Sequence, residues 1–338
     1  MNHRIFAVAL VYAIGSMCGC AADASGNAEK GQAAGDAAWP GLPADHNPVI
    51  DKMDLADPDV IRYEGRYYLY PTDEAGGAVG YDVYLSVDLL RWTQGPRVFA
   101  DPGPHVWAPE VYHDPDTHLF YLYYTSNMRI GVAVADSPLG PFVNRGILIE
   151  DAIDANLFRD DDGKLYLYYS YAPPAYVRGP TGSLRVQRMA SPFEIDGDPI
   201  DILYAETWER FLGLVGIIEA PWMLKRNGIY YLMYSGNATS STDYAIGYAT
   251  ATHPLGPFTK YPGNPILHKG GGIMGPGHNS VVEAPDGSLI IAYHQKSTPD
   301  FLWWRFGDRV VCVDAMGFDA AGHIWVAPTP LRADCCGR

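Results

Sequence analysis

Three acidic residues and a histidine stand at matching places along the chain and could carry out acid–base chemistry. Five short apolar strands are each preceded, three residues earlier, by one member of a set: Asp57, Ala108, Asp154, Glu219 and His278. Gathering carboxylates in a protein interior is costly unless they are paired or protonated, so acids at equivalent positions indicate a functional site. Two carboxyls suffice to hydrolyse a glycosidic bond, one as proton donor and the other as base or nucleophile.

The elements that would position these residues are five β-hairpins. A tyrosine-rich strand recurs at 67–70, 120–124, 165–169, 230–234 and 289–293. Each copy follows a turn pair or a close variant of one, such as Glu64-Gly65 or Asn227-Gly228, which favours two-residue hairpin turns. Five units that cannot each bury both faces predict an all-β, five-bladed β-propeller, whose inner strands line a central channel. A twisted sandwich could show the same period but gives no reason for the matching polar residues.

Composition and charge agree with this fold and exclude some partners. The 338 residues are 48% hydrophobic and include 24 Tyr, 8 Trp, 36 Gly and 27 Pro, which suits many short strands joined by tight turns. A formal net charge of −15 repels nucleic acid and anionic lipid. A neutral sugar polymer is not repelled, and aromatic side chains stack well on sugar rings. The sequence therefore predicts a carbohydrate partner and no nucleic acid.

The amino-terminal segment predicts export. Residues 1–20 form a signal peptide by this interpretation, with Arg4 before an apolar run at 5–14 that is too short to span a bilayer. The stretch 17–20 loosely matches a lipobox, which would make Cys20 a lipid anchor, and cleavage near Ala22 without lipidation is the alternative. Residues 21–40 are expected to be a flexible linker, 41–330 the propeller and 331–338 a tail. The expected location is periplasmic, outer-membrane or secreted.

The remaining cysteines show no metal-ligand spacing. Outside the signal region the chain has Cys312, Cys335 and Cys336, and a disulfide from Cys312 to the tail is one expectation in an oxidising compartment. The sequence also lacks a glycine-rich phosphate loop, a serine elbow and a zinc motif. Phosphoryl transfer, serine hydrolysis and metalloprotease chemistry therefore have no support, and no organic cofactor is expected.

Five motifs in order resemble those of one known family. They are Ala56-Asp57-Pro58-Asp59-Val60, Trp107-Ala108-Pro109-Glu110-Val111, Ile153-Asp154 with Leu157-Phe158, Glu219-Ala220-Pro221 and Gly275-Pro276-Gly277-His278-Asn279-Ser280. From about Asn47 to Pro328 the chain resembles glycoside hydrolase family 43, whose catalytic domain is a five-bladed propeller. The resemblance implies an inverting glycosidase with Asp57 as general base, Glu219 as general acid and Asp154 setting the pKa and orientation of the acid. Asp59 is the nearest alternative base, and the blade spacing favours Asp57.

Roles are expected for three further residues, from the resemblance for His278 and Arg309 and from its position before Ala108 for Trp107. His278 is expected near an axial calcium held largely through water, with a hydrogen-bonded core histidine as the alternative. Trp107 is expected to stack on the sugar, although a core tryptophan would look the same. Arg309 is expected to bind substrate hydroxyls, with a surface salt bridge as the alternative.

The function expected from these residues is that of an inverting exo-acting α-L-arabinofuranosidase. A β-xylosidase and an endo-1,5-α-L-arabinanase would use the same acids, and the segments 171–182 and 204–217 are candidates for the loops that decide between exo and endo action. A hypothesis of another class is a non-catalytic sugar-binding propeller on the cell surface. The intact acids argue against it, because a degenerate binder should have lost Asp57 or Glu219.

Overall fold

The chain folds as a five-bladed β-propeller, as predicted. The structure is a computed structural model, and it describes residues 41–73, 79–100, 106–172, 182–299 and 308–335. Within these ranges there is no α-helix, and so no helix of the length and hydropathy that a membrane crossing needs. The predicted signal peptide, the linker and Cys336 lie outside the described residues, while Cys312 and Cys335 are both buried. Export, lipidation and disulfide pairing stay predictions.

Each blade is an antiparallel sheet whose first strand is the innermost one. The first two blades contain β1 (Leu55–Tyr63), β2 (Arg66–Asp73), β3 (Gly80–Ser86) and β4 (Thr93–Ala100), then β5 (Val106–His113), β6 (Phe120–Ser126), β7 (Arg129–Ala135) and β8 (Val143–Glu150). Blade 3 contains β9 (Ala152–Arg159), β10 (Leu165–Tyr171) and β11 (Ser183–Ser191), with both β12 (Glu194–Ile195) and β13 (Ile200–Tyr204) paired to β11.

A small hairpin separates blade 3 from the last two blades. It is formed by β14 (Arg210–Phe211) and β15 (Val215–Gly216), inside the segment 204–217 that the sequence marks as a loop. Blade 4 contains β16 (Ile218–Arg226), β17 (Ile229–Gly236), β18 (Ala245–Ala251) and β19 (Thr259–Lys260). Blade 5 contains β20 (Gly277–Glu283), β21 (Leu289–Lys296), β22 (Arg309–Phe318) and β23 (Ile324–Ala327). The buried apolar residues form five clusters, each between two neighbouring blades.

The recurring tyrosines have a structural reason beyond packing. All five tyrosine-rich segments fall within the second strand of a blade. In the first three blades, the hydroxyls of Tyr70, Tyr123 and Tyr168 donate hydrogen bonds to proline carbonyls in a turn of the following blade. Since a buried hydroxyl must be satisfied, the turn has to sit at a definite height on its neighbour. The tyrosines thus set the stacking of one blade on the next.

The predicted two-residue turns are found in only two of the five hairpins. Glu64-Gly65 and Asn227-Gly228 have positive φ at both residues, as a two-residue turn of this type requires. The other three hairpins close through longer turns. In one of them the side chain of Asp114 accepts hydrogen bonds from the Asp116 amide and the Thr117 hydroxyl, which closes the loop locally. The prediction of five two-residue turns was therefore wrong for three hairpins.

The amino-terminal segment closes the ring. Asn47 precedes blade 1 but bonds to blade 5, where its side chain donates to the Val313 carbonyl at 3.1 Å and accepts from the Val313 amide at 2.9 Å. The Val49 amide donates to the Val311 carbonyl at 3.1 Å. Blade 1 is thus bound to blade 5 by hydrogen bonds from the chain that leads into it.

Candidate active site

A β-bulge at the start of every inner strand aims the site residues. The pairing of the first two strands skips two residues in each blade, and the first skipped residue has positive φ, an uncommon conformation for a non-glycine residue. These five residues are Asp57, Ala108, Asp154, Ala220 and His278. A bulge re-aims side chains next to functional sites, and here it places equivalent positions around the axis.

The register corrects one of the five sequence assignments. In blade 4 the bulge residue is Ala220, and Glu219 is the residue before it, paired with Ser235. Glu219 therefore matches Trp107 in blade 2, which also precedes a bulge. The spacing misled because the apolar run of blade 4 was taken to begin at Trp222, one residue too early. Glu219 still lies at the start of the inner strand, but it occupies the position before the bulge, whereas Asp57 and Asp154 occupy the bulge itself.

Asp57 is surrounded by nitrogen atoms. Its Oδ1 lies 2.9 Å from Nη1 of Arg309, 3.4 Å from Nδ1 of His278 and 3.3 Å from Nδ1 of His294. Burial opposes ionisation of this carboxyl, but Arg309 and the two histidines hold its pKa well below the ordinary value. Asp57 is therefore an ionised carboxylate throughout the physiological pH range.

Asp154 and Glu219 are in the opposite state. Burial and the neighbouring carboxylates of Glu219 and Asp57 raise the pKa of Asp154 well above its ordinary value. Burial raises the pKa of Glu219 to about 7, against the hydrogen bond that Tyr244 donates to it. Oδ2 of Asp154 also accepts the amide of Ala220 at 3.1 Å, which ties the two acids together. Since a charge on one of these buried carboxyls disfavours ionisation of the other, the two acids titrate as a pair.

Two residues of this cluster escaped the sequence analysis. Tyr244 donates a hydrogen bond to Oε1 of Glu219 at 2.7 Å, and its ring stacks on His294 with centroids 5.6 Å apart. Burial, followed by the charge of Arg309, lowers the pKa of His294 to about 3, so this histidine is neutral.

A signal for His294 was present in the chain. It occupies the position at the end of the second strand that is Thr72, Thr125, Ser170 and Ser235 in the other blades. All five residues are polar, and all five side chains hydrogen-bond backbone at the start of the next inner strand. Tyr244 lies between β17 and β18, outside the repeated unit, and had no such signal.

The remaining predicted residues are placed as follows. Arg309 is buried against Asp57, so the alternative of a surface salt bridge is wrong. Trp107 is half-buried at the register position that Glu219 holds in blade 4. Asp59, the alternative base, accepts the amide of Val111 at 2.8 Å and so joins blade 1 to blade 2. Asp57 contacts both His278 and Arg309, and His278 also contacts Asp154. These four predicted residues therefore lie in one cluster, as the propeller hypothesis requires.

Comparison with known proteins agrees with the geometry. The family model for glycosyl hydrolases family 43 matches residues 46–324 of the chain. The chain belongs to this family. The family-43 assignment confirms the resemblance read from the five sequence motifs, and it makes the protein a glycosidase.

Relatives of this family-43 glycosidase carry several different activities in their names. It is 32% identical to the β-D-galactofuranosidase xynD of Aspergillus niger, over 82% of this chain and 83% of the relative. It is 29% identical to a β-xylosidase of Xylanibacter ruminicola, over 80% and 95% of the two chains. A thermostable family-43 glycoside hydrolase of known structure superposes with a TM-score of 0.75 at 35% identity, covering 87% of this chain and 99% of that one.

The inner strands of the family-43 propeller also enclose a small cavity, of about 10 Å³, that has the chemistry of a cation site. Three buried oxygens of its lining have no hydrogen-bond partner in the part of the chain that the structure describes: Asp59 Oδ1, Glu110 Oε2 and Asn279 Oδ1. Carboxylate and amide oxygens are the ligands that calcium prefers, and His278 lines the same cavity. Within those residues no set of three or more His, Cys, Asp or Glu side chains is placed to ligate one ion. The donors therefore fit a hard cation that takes only part of its ligands from acidic side chains.

Proposed function

We propose that this glycosidase is an inverting, exo-acting α-L-arabinofuranosidase in which Asp57 is the general base and Glu219 the general acid. The observation that carries the mechanism is the contrast between the surroundings of its carboxyls, with Arg309 at 2.9 Å from Asp57 and a neutral tyrosine at 2.7 Å from Glu219. Arg309 and two histidines keep Asp57 ionised, while burial keeps a proton on the Asp154–Glu219 pair. Glycosidases need one carboxylate and one carboxylic acid at the same pH, and pKa values pushed apart by the surroundings provide them.

In the proposed reaction, Asp57 accepts a proton from a water molecule while the water oxygen attacks the anomeric carbon. Glu219 gives its proton to the glycosidic oxygen as the bond from that oxygen to the anomeric carbon breaks. The products are a free sugar of inverted configuration and an alcohol, with one proton gained by Asp57 and one lost by Glu219. Asp154 keeps the proton available to Glu219, since a charge on either carboxyl disfavours a charge on the other.

The proposed substrate class is supported by the names of the relatives and by the position of Trp107. The arabinoxylan arabinofuranohydrolase of Bacillus subtilis is 28% identical over 63% of this chain, although this chain spans 50% of that protein. Trp107 offers an aromatic ring at the register position of Glu219, where a sugar held for protonation can stack on it. A terminal arabinofuranose of plant cell-wall polysaccharide fits both facts.

A second candidate is a β-D-galactofuranosidase, favoured by the 32% identity to the Aspergillus niger enzyme. β-D-galactofuranose is α-L-arabinofuranose extended by one exocyclic carbon, with the same arrangement of ring substituents. The acid–base machinery would be shared, and the space beyond the ring would decide between the two sugars.

The test is a screen of aryl glycosides combined with NMR of the sugar first released. We expect turnover of α-L-arabinofuranoside above that of β-D-galactofuranoside and β-D-xyloside, with inversion at the anomeric carbon. Asp57→Asn should lose about 10²- to 10⁴-fold in kcat on every substrate, the usual effect of removing a general base. Glu219→Gln should lose as much on oligosaccharides but much less on aryl glycosides whose leaving group needs no proton.

Each contrary outcome of that screen points to a different error. Retention of configuration would refute Asp57 as base. Preference for galactofuranoside or xyloside would replace the substrate, and turnover of internal linkages alone would replace the exo mode by an endo-arabinanase. A complete lack of turnover on all three glycosides and on arabinan would favour the non-catalytic sugar-binding propeller.

Calcium is proposed as a structural ion in the axial cavity. When bound, it would supply positive charge that offsets Asp59 and Glu110, whose pKa values burial raises, to about 7 for Asp59. Chelation should lower the melting temperature, and added calcium should restore it, because a ligand of the folded state stabilises by mass action. Asp59→Asn should abolish that response. A thoroughly chelated protein with an unchanged melting temperature would exclude the ion.

A further inference from the structure

The hydroxyl of Tyr244 donates a hydrogen bond to one oxygen of the Glu219 carboxyl. The residue is fully buried, and its hydroxyl lies 2.7 Å from Oε1 of Glu219. Within the described residues that hydroxyl has no other hydrogen-bond acceptor. Burial and the nearby carboxylates of Glu219 and Asp154 raise the pKa of Tyr244 well above its ordinary value, so the phenol remains a donor at every pH at which the enzyme would work.

The fold makes room for this ring at a specific glycine. A Cβ on Gly277 would lie 1.9 Å from Cε1 of Tyr244, so any other residue there would displace the ring. The ring of Tyr244 also lies parallel to that of His294, the cross-strand partner of Gly277, at an interplanar angle of 4°. His294 in turn contacts Asp57 at 3.3 Å. The tyrosine is thus packed against two paired strands of blade 5 while its hydroxyl reaches an acid of blade 4.

The hydrogen bond decides where the acidic proton can reside. An oxygen that already accepts an O–H bond from a permanent donor is the carbonyl oxygen of a neutral carboxyl group, so the proton of Glu219 belongs on Oε2. When the proton leaves, the same hydrogen bond becomes one to a carboxylate and strengthens, because hydrogen bonds to charged groups are the stronger kind.

We propose that Tyr244 is a positioning residue that directs the acidic proton to Oε2 of Glu219 and stabilises the carboxylate left after proton transfer. This inference rests on the proposed role of Glu219 as general acid. The role of Tyr244 should matter for natural glycosides, because their unactivated alcohol leaving groups cannot depart without a proton.

The test is Tyr244→Phe, which keeps the ring against Gly277 and His294 and removes only the hydroxyl. On natural oligosaccharide we expect kcat to fall about 10- to 100-fold, the worth of one hydrogen bond to a charged group. On an aryl glycoside with a strongly acidic phenol, kcat should change by less than about threefold, because such a phenol leaves without a proton from Glu219. The basic limb of the kcat/KM profile should move to higher pH, because Glu219 loses a donor that lowers its pKa.

A matched control is available in the same blade. Tyr234 is also fully buried, and its hydroxyl donates to a buried carboxylate, that of Glu209, at 3.0 Å. Tyr234→Phe should lower stability while leaving the pH profile and the leaving-group dependence at wild-type values. Equal losses on both substrates with an unmoved basic limb for Tyr244→Phe would mean a structural role only and would overturn the proposal.

A double-variant comparison separates this inference from the proposed function. In a Glu219→Gln background, Tyr244→Phe should have no further effect on natural oligosaccharide, because no proton is left to direct. An additional loss of tenfold or more in that background would contradict the mechanism through Glu219. If Glu219→Gln alone retains full activity on oligosaccharide, the acid assignment itself fails, whereas wild-type behaviour of Tyr244→Phe beside an impaired Glu219→Gln refutes only the role of the tyrosine.

Discussion

Asp57 and Glu219 are both buried carboxyls, yet their pKa values move in opposite directions. Burial alone would raise both values. At Asp57 the charge of Arg309 at 2.9 Å, together with His278 and His294, reverses that effect. Glu219 has a neutral tyrosine as its hydrogen-bond donor, and the repulsion from Asp57 adds to burial. The difference between the two acids therefore comes from Arg309.

The charge of Arg309 should set the pH at which activity is lost on acidification. Arg309→Gln should raise the pKa of Asp57, because it removes the adjacent positive charge that lowers this pKa. A base must be ionised to act, so activity should be lost at a higher pH on acidification than in the wild type. The measurement is the kcat/KM profile on an aryl arabinofuranoside.

Arg309→Lys is the control, because it keeps the positive charge and should restore much of the acidic limb. A rise in KM with an unmoved acidic limb in Arg309→Gln would contradict this account. Arg309 would then be the substrate-binding residue that the sequence resemblance implies.

At the scale of the elements, one interaction joins the inner strands around the ring. Two residues beyond the bulge, the side chains of Asp59, Glu110, Asn156 and Ser280 accept the amide of the next inner strand, on Val111, Leu157, Met223 and Val60 respectively. Blade 4 has Trp222 at this position, and an indole cannot accept a hydrogen bond. Blade 4 is joined to blade 5 by the other bond, which recurs at the end of each second strand, and here the amide of His278 donates to the hydroxyl of Ser235 at 2.8 Å.

We expect Asn156→Ala to destabilise the protein by about 1–3 kcal/mol, because it leaves the buried Met223 amide without its acceptor. Asn156 also donates to Glu110 Oε1 at 3.1 Å, so the loss reaches two blades. Equilibrium denaturation gives the free energy of unfolding. Arg145→Ala, at an exposed position of β8, should stay within about 0.5 kcal/mol of wild type. Equal stability of the two variants would show that the inner-strand bonds contribute nothing net.

At the scale of the whole molecule, the ring is closed by the segment in front of blade 1. Asn47 is fully buried and bonds to Val313, Asp314 and Thr329. The apolar cluster beside it combines residues of blades 1 and 5, including Val49, Leu55 and Val311. This segment therefore adds to the bonds that blades 1 and 5 make through their own strands, such as that from the Val60 amide to Ser280.

Asn47→Ala should therefore cost at least about 2 kcal/mol, since it leaves the buried Val313 amide without its acceptor in a shared network. Hydrogen exchange should show the largest loss of protection in β1 and β22, with β10 in blade 3 least affected. A uniform loss over all blades would mean that the ring opens only together with global unfolding, and an unchanged free energy of unfolding would refute the closing role.

The repeated pattern was sufficient to predict the fold and much of the site. The strand period, the tyrosine-rich second strands and the polar residues at strand starts are local features that every blade repeats, so five copies specify a five-bladed ring. Asp57, Asp154 and His278 could be aligned because they sit at one position of that unit. A propeller brings equivalent positions together by symmetry, and this is why spacing alone predicted their meeting.

Tertiary structure decided what the repeat does not contain. Arg309 lies at the start of a third strand, far in sequence from Asp57, and meets it only through the packing of blade 5 against blade 1. Tyr244 lies in a connection between strands of blade 4 and meets Glu219 only once that blade has formed. The one-residue offset of Glu219 depends on where the bulge falls, which hydrogen-bond pairing decides and apolar spacing does not. The pKa values follow from burial and from neighbours within about 4 Å, and these exist only once the chain has closed on itself.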